Sequence, residues 1–523
     1  MILLPRIVVP ILLAASLSLH FIGIWHPKEA VFDEVHFGKF VSSYFTGEYY
    51  FDIHPPLGKL MVAGVAVVSG FEPKSGFLNI GEGYPDYHYV WLRSLPALFG
   101  SLLPALTYLL TLRIAILMRH VPGHAAGQRK HQQQTSGKND AQPLPLSDDA
   151  DVFPKTAALI AGLFVLFDNA LLVQSKFILI DSFLLVFGFA ALYFFLQSRD
   201  IFPDGKLGIG ALAASAVFSG LALSIKWTGV AFLGTIGVFL FCLGMQRVAR
   251  RQIKGMRFLK IILLFAAAPV ILYSAFFYIH FSLLPHSGPG DAFMKPRFLE
   301  SRRAGYPTRD FFQDTWELNR EMFAANQRLN ATHSYSSTWY EWPFMTRSVY
   351  YWAKETPSAN IPTGIESDPA VPLKMDYFRI YLLGNPAVWW ISTLGVAVFF
   401  LGLATRTLKR IYAFLFGSSR QRNFQPRESA FPWMFLAFGY AANLLPFIFI
   451  GRVMFLYHYL TALIFAVVIS SLWISRIRRF HKSMLIAVVL LTIAGFIIMA
   501  PITYGTALDE PWPKTIFWFK GWI

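Results

Sequence analysis

The sequence predicts an all-α polytopic membrane protein with about eleven transmembrane helices, a cytoplasmic N-terminus and an extracytoplasmic C-terminus. Hydrophobic residues make up 55% of the 523 positions and the mean hydropathy is +0.47, more than a solvated globular surface allows. Eleven apolar stretches reach or approach the roughly 20 residues that cross a bilayer. Basic residues cluster between these stretches, which is typical of membrane topology signals.

The charge distribution argues against a nucleic-acid partner. The net charge is +16, but Lys and Arg fall between apolar runs rather than on one soluble domain. Cys242 is the only cysteine, which excludes an internal disulfide framework. Residues 1–25 also fit a cleaved signal peptide. Because further spans follow, we expect this segment to be the first membrane helix.

The predicted spans alternate with polar loops along the whole chain. Each span is a mostly apolar stretch bounded by charged or turn-forming residues. The stretches cover residues 5–25, 94–117, 156–173, 177–197, 207–224, 228–246, 261–281, 387–405, 431–451, 453–474 and 483–501.

Basic clusters predict the orientation. With eleven spans, the clusters after spans two, six, eight and ten lie on one face, which we assign to the cytoplasm. We treat residues 1–523 as one membrane-embedded domain. Its parts are a first outer loop (26–92), a disordered cytoplasmic loop (120–155), a second outer loop (282–386) and a C-terminal four-helix part (387–523), and we expect interfacial helices in both outer loops.

An acidic pair, Asp33-Glu34, follows the first span. Carboxylates cost several kcal/mol in lipid, so these two must face water, protein or substrate. Adjacent residues point in different directions, so one can face a substrate while the scaffold holds the other. We predict both as catalytic residues, with Asp33 as a general base for an attacking hydroxyl. Helix capping is the alternative for an isolated pair.

A compact polar group follows in the first outer loop. Asp52, His54 and Lys59 flank Pro55-Pro56, which cannot continue a helix. We predict Asp52, His54 and Lys59 as substrate-binding residues, with packing between loops as the alternative. The apolar pattern after Pro56 is too short to span and predicts an interfacial helix.

Three cations lie near the predicted outer boundary: Arg93, Lys226 and Arg452. Basic side chains that converge there suit a phosphate, because they stabilise a negatively charged leaving group. We predict them as donor-phosphate contacts, with snorkelling to headgroups as the alternative. Tyr457 and His458 follow Arg452 and are predicted substrate contacts.

Polar residues also separate spans three and four. Asp168, Gln174 and Asp181 favour hydrogen bonding between helices, and Asp181 is in addition a candidate substrate contact. Histidines of the second outer loop have no spacing that resembles a tight zinc site, so we expect no metal.

Several of these motifs together resemble the protein O-mannosyltransferases, glycosyltransferase family 39 of the glycosyltransferase C superfamily, and look like a bacterial member. The motifs, in chain order, are Asp33-Glu34-Val35-His36-Phe37-Gly38, Asp52 to Lys59, Asp168-Asn169 with Gln174 to Asp181, Lys226-Trp227, Phe277 to Asp291, Leu383-Gly384-Asn385-Pro386, and Gly451-Arg452 with Leu456-Tyr457-His458-Tyr459.

The resemblance implies inverting transfer of mannose from a polyprenyl (dolichol-type) phosphate to Ser or Thr hydroxyls of secreted or membrane proteins. It implies a multi-pass protein of a bacterial plasma membrane whose active site faces outward. It also implies no nucleotide sugar and no cofactor, the lipid-linked sugar being a substrate. Asp33 matches the catalytic acidic position of the family, and Arg93, Lys226 and Arg452 match its donor-phosphate contacts.

Two departures from the family pattern stand out. Eukaryotic members carry a β-trefoil MIR domain in the second outer loop, for which residues 282–386 are too few. Bacterial relatives often have His-Pro-Tyr where this chain has His333-Ser334-Tyr335. Two other functions stay open: transfer of the sugar to a lipid or envelope glycan, and transport or lipid flipping without transfer.

Overall fold

The computed structural model describes residues 4–73, 77–119, 149–198, 207–304, 306–328, 332–358, 374–416, 430–477 and 481–523. These ranges are mostly helical. The helices of the first half are α1 (Pro5–Phe21), α2 (Glu34–Thr46), α3 (Leu57–Ser69), α4 (His88–Arg119), α5 (Asp149–Leu166), α6 (Asn169–Lys176), α7 (Asp181–Ser198), α8 (Leu207–Ile225), α9 (Val230–Ala249) and α10 (Gly255–Leu283).

The second half begins with two helices that are not apolar, continues through a small sheet, and ends in four apolar helices. Its elements are α11 (Pro296–Arg303), α12 (Phe311–Arg328), β1 (Val349–Pro357), β2 (Met375–Leu382), α13 (Pro386–Phe416), α14 (Ala430–Leu444), α15 (Leu460–Ile474), α16 (His481–Tyr504) and β3 (Ala507–Leu508).

Nine helices of the described ranges are long and apolar enough to cross a membrane. The pair α5 and α6 is a tenth candidate, bent by 53°, and α1 is apolar but only 17 residues long. Each of the eleven predicted stretches therefore coincides with a helix, although the first is short and the third is broken. The orientation of these helices in a membrane stays a prediction.

A buried carboxylate holds the break between α5 and α6. Asp168 caps α6 by accepting a hydrogen bond from the Leu171 amide (2.9 Å). It also accepts one from the Trp389 indole (2.7 Å), which belongs to α13. Because one side chain serves both contacts, the bend is tied to the C-terminal helices, and it directs α6 towards the first outer loop.

An antiparallel sheet corrects the all-α prediction for the second outer loop. Strands β1 and β2 pair from Val349–Leu382 to Pro357–Met375, and β3 adds a short third strand after the last helix. The strand sequences are rich in Tyr, Trp, Val and Ile, which favour a half-buried pleated surface.

The first outer loop folds into two short helices, α2 and α3, of 13 residues each. Gly47 ends α2 with φ 75°, a left-handed conformation that costs glycine little. Most of the predicted cytoplasmic loop, residues 120–148, lies outside the described residues. Helix α5 begins at Asp149, so the predicted loop boundary at residue 155 is wrong.

Candidate active site

Asp33 lies at the turn where the chain enters α2. The preceding residue, Phe32, has φ 48°, a conformation that bulky residues rarely adopt. Its amide donates to the Tyr351 carbonyl (3.1 Å), and its ring stacks on Tyr351 with centroids 4.3 Å apart. Strained backbone that is held in place by its surroundings is typical of functional sites. The outer sheet therefore fixes the position of Asp33.

The Asp33 carboxylate is left free by this arrangement. It occupies the N-cap position of α2 but does not cap the helix, and within the described ranges it accepts no hydrogen bond. Burial raises the pKa of Asp33 to about 6, with positive charges of His36 and Lys226 acting in the opposite sense. Negative charges of Asp181 and Asp52 add to the rise. A carboxylate with a pKa near neutrality suits a general base.

Glu34, its neighbour, is bound completely by the protein. Its carboxylate forms a bidentate pair with Arg93, through Nε (2.8 Å) and Nη2 (2.7 Å), and both side chains are 0% exposed. Glu34 also accepts bonds from the Val31 amide (2.9 Å), the Tyr84 hydroxyl (3.0 Å) and the Ile178 amide (3.0 Å). The carboxylate thus joins the first outer loop to α4 and to the segment between α6 and α7.

Arg93 has no N–H left for a substrate. Its remaining donors bind the carbonyls of Ile24 (3.2 Å), Pro27 (2.9 Å) and Glu29 (3.0 Å). This geometry corrects two sequence-based assignments, because neither Glu34 nor Arg93 can touch a donor phosphate or an acceptor in this arrangement. We reassign the pair as a structural clamp that holds the chain segment before Asp33.

The clamp predicts a large loss of stability when one partner is removed. Arg93→Met leaves Glu34 charged and buried without a counter-ion, which typically costs about 3–5 kcal/mol. We expect a lower thermal denaturation midpoint for the purified protein, partly restored in Arg93→Met/Glu34→Gln. Arg328 pairs with Glu321 on the surface, and its side chain is 72% exposed. Arg328→Met should therefore change the free energy of unfolding by about 1 kcal/mol or less. Equal effects of the two arginine variants would contradict the clamp.

Lys226 lies at the break between α8 and α9 and is paired with Asp181. Its Nζ is 2.8 Å and 2.9 Å from the two carboxylate oxygens. Asp181 also accepts from the Gln174 amide (2.7 Å), and the Gln174 oxygen accepts from the Tyr351 hydroxyl. A chain of hydrogen bonds therefore runs from the outer sheet to Lys226, and this chain holds the ammonium group in place.

Tyr351 was not among the predicted site residues. It occupies a bulge in β1, where the pairing shifts between Tyr350 and Trp352, and it is fully buried. Bulges often redirect a side chain next to an active site. The run Val349 to Trp352 has a composition typical of a strand, but no local pattern in the sequence marks the bulge or its contact with Gln174.

The polar group around Pro55-Pro56 is also internally bonded. The Lys59 ammonium pairs with Asp52 and donates to the His54 carbonyl (2.7 Å). Burial lowers the pKa of His54 well below its usual range, and the nearby charges of Lys226, Lys59 and Arg452 lower it further. His54 is therefore neutral at pH 7. Because Lys226 and Arg452 both act on His54, the polar group around Pro55-Pro56 lies close to these two cations.

Arg452 completes the set of charges. Within the described ranges its guanidinium makes no hydrogen bond or ion pair, and burial lowers its pKa. Charges of Asp33 and Arg452 both act on Tyr457, whose ring lies 5.5 Å from Lys226 Nζ. The structure therefore brings Asp33, Lys226 and Arg452 around one aromatic side chain.

His458 supports the turn that carries Tyr457. Its Nδ1 lies 3.1 Å from the Phe455 amide and 3.0 Å from the Phe455 carbonyl. Its ring stacks on Trp342, with centroids 5.7 Å apart, and on Tyr457 at 4.5 Å. His458 thus links the second outer loop to the predicted site, a packing role that the sequence alone did not distinguish from substrate contact.

A cavity of about 770 Å³ opens beside Arg452. One wall is formed by Arg347 and seven residues between 332 and 341, and the other by residues 451–454. The Ser337 amide donates a hydrogen bond to the Met454 carbonyl (2.9 Å) and joins the two walls. Hydroxyl side chains dominate the first wall. The volume falls in the range of ordinary ligand pockets, about 300–1,000 Å³, so the site has room for a substrate on the side of the second outer loop.

Two family models match most of the chain. Residues 11–121 and 151–285 match the model described as dolichyl-phosphate-mannose-protein mannosyltransferase, and residues 311–522 match the C-terminal four TMM region of protein-O-mannosyltransferase. The chain belongs to the protein O-mannosyltransferase family.

Curated members of the protein O-mannosyltransferase family match over part of their length. Protein O-mannosyltransferase 1 of Drosophila melanogaster is 31% identical over 295 residues, 53% of this chain and 28% of the relative. Dolichyl-phosphate-mannose–protein mannosyltransferase 1 of Saccharomyces cerevisiae is 32% identical over 291 residues, 54% of this chain and 31% of the relative. The matched segments span less than a third of either relative.

A solved protein O-mannosyltransferase shares the fold. The structure of the S. cerevisiae Pmt1–Pmt2 complex bound to the sugar donor aligns with a TM-score of 0.78 at 19% identity. The alignment covers 100% of this chain and 93% of that chain. The helical membrane fold predicted from the sequence is therefore confirmed.

Proposed function

We propose that this protein transfers mannose from a polyprenyl (dolichol-type) phosphate to Ser or Thr hydroxyls of exported proteins, with inversion at the anomeric carbon. The observation that carries the proposal is an Asp33 carboxylate that has no hydrogen-bond partner among the described residues and lies in one group of charges with Lys226 and Arg452. The names of the matching family model and relatives supply the donor and the acceptor class.

In the proposed reaction, Asp33 takes the proton of the acceptor hydroxyl. The hydroxyl oxygen then bonds to C1 of the sugar from the face opposite the phosphate, while the bond from C1 to the phosphate oxygen breaks. The electron pair of that bond leaves with the lipid phosphate. Lys226 and Arg452 face this negative charge as it develops, which is where preorganised cations lower a barrier most.

The remaining predicted contacts have supporting roles in this proposal. Asp181 holds Lys226, while Asp52, His54 and Lys59 form a wall next to the cations. Tyr457 is close enough to feel the charges of both Asp33 and Arg452 and, in this proposal, offers a ring face to the sugar. The cavity beside Arg452 admits the acceptor segment. We assign no role to a metal, since two cations already face the leaving group.

The proposal places the protein in a bacterial plasma membrane with the site on the outer side. Basic clusters between the spans support this orientation. Exported proteins would meet the site there, and the lipid donor would reach it through the bilayer.

The proposal is tested by a transfer assay with the full chain in nanodiscs. Radiolabelled polyprenyl-phosphate mannose and a Ser/Thr-rich peptide are supplied, with EDTA in one arm. We expect labelled peptide in both arms. Label on added lipid or envelope glycan but not on peptide would support the alternative acceptor, and lipid movement in proteoliposomes without any transfer would support a flippase.

The pKa of Asp33 predicts the pH at which the rate of mannose transfer begins to fall as the solution is made more acidic. The base works only when deprotonated, and burial raises its pKa to about 6. Single-turnover rates should therefore be constant above pH 7 and fall about tenfold per pH unit below pH 6. A free carboxylate would lose activity only near pH 4. A flat profile between pH 5 and 7 would contradict the assignment of Asp33 as the base.

Removing the Tyr351 hydroxyl should slow transfer by loosening the position of Lys226. Tyr351→Phe keeps the ring on Phe32 but leaves Gln174 without its hydrogen bond. A lost buried hydrogen bond costs about 1–2 kcal/mol, so we expect the rate at saturating lipid donor to fall about fivefold or more. Tyr350→Phe, at the neighbouring strand position, is the matched control. Equal rates for both variants would show that the hydrogen-bond chain does not position Lys226.

A further inference from the structure

Helix α12, in the second outer loop, exposes aromatic side chains on one face. Phe312 is 79% exposed, Trp316 73% and Phe323 57%. At 100° per residue, positions 312, 316 and 323 fall within about 40° of one another. We call these three residues the aromatic strip. Three large rings in contact with water on one stripe are unusual for a soluble surface.

The opposite face of α12 packs against the protein and includes two buried carboxylates among apolar side chains. Asp314 accepts hydrogen bonds from Arg297 and Thr308, and Glu317 accepts from the Lys295 amide. Since the protein binds these carboxylates while the three rings of the aromatic strip face outward, the outward face suits an amphipathic environment.

Helix α12 contacts the ends of two membrane helices. Phe311 contacts Tyr278 near the end of α10, with centroids 5.7 Å apart, and Asn319 accepts a hydrogen bond from Tyr273 of α10. The ring of Phe323 lies 6.5 Å from that of Trp227, at the start of the candidate span that precedes α10. Contacts to both spans near their predicted outer ends place α12 at one boundary of the membrane part.

The surface of α10 continues into the aromatic strip. Only 17% of the apolar window of α10 is buried inside the protein, so most of that helix faces the bilayer. Tyr278, at its outer end, is 57% exposed and lies next to α12. Aromatic rings concentrate at the headgroup level of membranes, where one side of the ring is apolar and the other is wet.

We propose that α12 lies in the outer headgroup region of the bilayer, with Phe312, Trp316 and Phe323 inserted between lipids. Arg320, on the flank of the strip, then reaches lipid phosphates. The contact of Phe323 with Trp227 fixes the height of Lys226, the preceding residue, relative to the lipid surface. That last consequence rests on the proposed function, since it places Lys226 at the level of a lipid-linked phosphate.

The test is the depth of single spin labels in nanodiscs, measured from their accessibility to oxygen and to a water-soluble nickel chelate. Labels replace Phe312, Trp316 or Phe323 in a Cys242→Ser background. Controls are labels at Arg328, more than about 100° from the strip around the helix, and at exposed Glu300 of α11. We expect the ratio of oxygen to nickel accessibility to be several-fold higher at all three strip positions than at both controls.

Two results would overturn the proposal. Nickel accessibility at the strip equal to that of the controls would place α12 in water. Protection of the strip from both reagents would show that a protein surface or a second copy of the chain covers it. The measurement uses no substrate, so it stands whether or not the chain transfers mannose. In a separate arm, Phe312→Gln/Trp316→Gln/Phe323→Gln should raise the KM for lipid donor and leave kcat unchanged.

Discussion

Asp33→Asn should lower the rate of mannose transfer by about 10²- to 10⁴-fold, the range typical for loss of a general base. The amide has the shape of the carboxylate but cannot take a proton from the acceptor hydroxyl. Because the Asp33 side chain accepts no hydrogen bond within the described ranges, the substitution breaks no contact there. Single-turnover measurements at pH 7.5, with saturating donor and peptide, isolate the chemical step.

Stability separates this effect from misfolding. Burial raises the pKa of Asp33, so above pH 6 its folded state carries a charge that burial disfavours. Asp33→Asn removes that charge and should leave the thermal midpoint unchanged or higher, as is common for active-site residues. Asp509→Asn makes the same chemical change at an exposed position and should affect neither property. Wild-type turnover by Asp33→Asn would eliminate Asp33 as the base.

Lys226→Gln should lower transfer by about 10²- to 10³-fold, the usual result of removing one preorganised group that stabilises developing charge. The substitution keeps much of the side-chain length but removes the positive charge that faces the leaving phosphate. Loss of rate should appear at saturating donor, because the cation acts more strongly on the leaving group than on the bound ground state.

The control for Lys226→Gln must separate the loss of the positive charge from the effect of leaving Asp181 unpaired. Lys226→Gln leaves that buried carboxylate without its ion pair, and the resulting local disorder would lower activity as well. Lys226→Gln/Asp181→Asn removes both charges and should regain stability without regaining activity. Lys39→Gln, at an exposed lysine of α2, should behave like the wild type. Recovery of activity in the double variant would mean that Lys226 only neutralises Asp181.

The membrane helices were predictable because apolar length is a local property of the sequence. Each predicted stretch coincides with a helix. The 53° bend at Asp168 was not predictable, since it depends on a hydrogen bond to Trp389, more than two hundred residues away. The outer sheet was missed because β1 and β2 lie in a loop for which interfacial helices were expected.

The sequence predicted which residues form the site, but not the role of each one. Adjacent positions 33 and 34 had to point in different directions, so one carboxylate was expected to face the scaffold. Only the fold shows which one, because Glu34 pairs with Arg93 while the Asp33 carboxylate accepts no hydrogen bond within the described ranges. Arg93 and Lys226 look alike in the sequence, as cations at helix ends. Their partners, and the number of N–H groups left over, distinguish them.

The most direct test of the account is a cryo-EM structure of Asp33→Asn in nanodiscs with polyprenyl-phosphate mannose, a variant expected to bind donor without turning it over. The account predicts phosphate density between Lys226 and Arg452, with the anomeric carbon facing residue 33 and a path from that carbon to the cavity beside Arg452. Phosphate bound elsewhere, or a protein wall between residue 33 and the two cations, would contradict it.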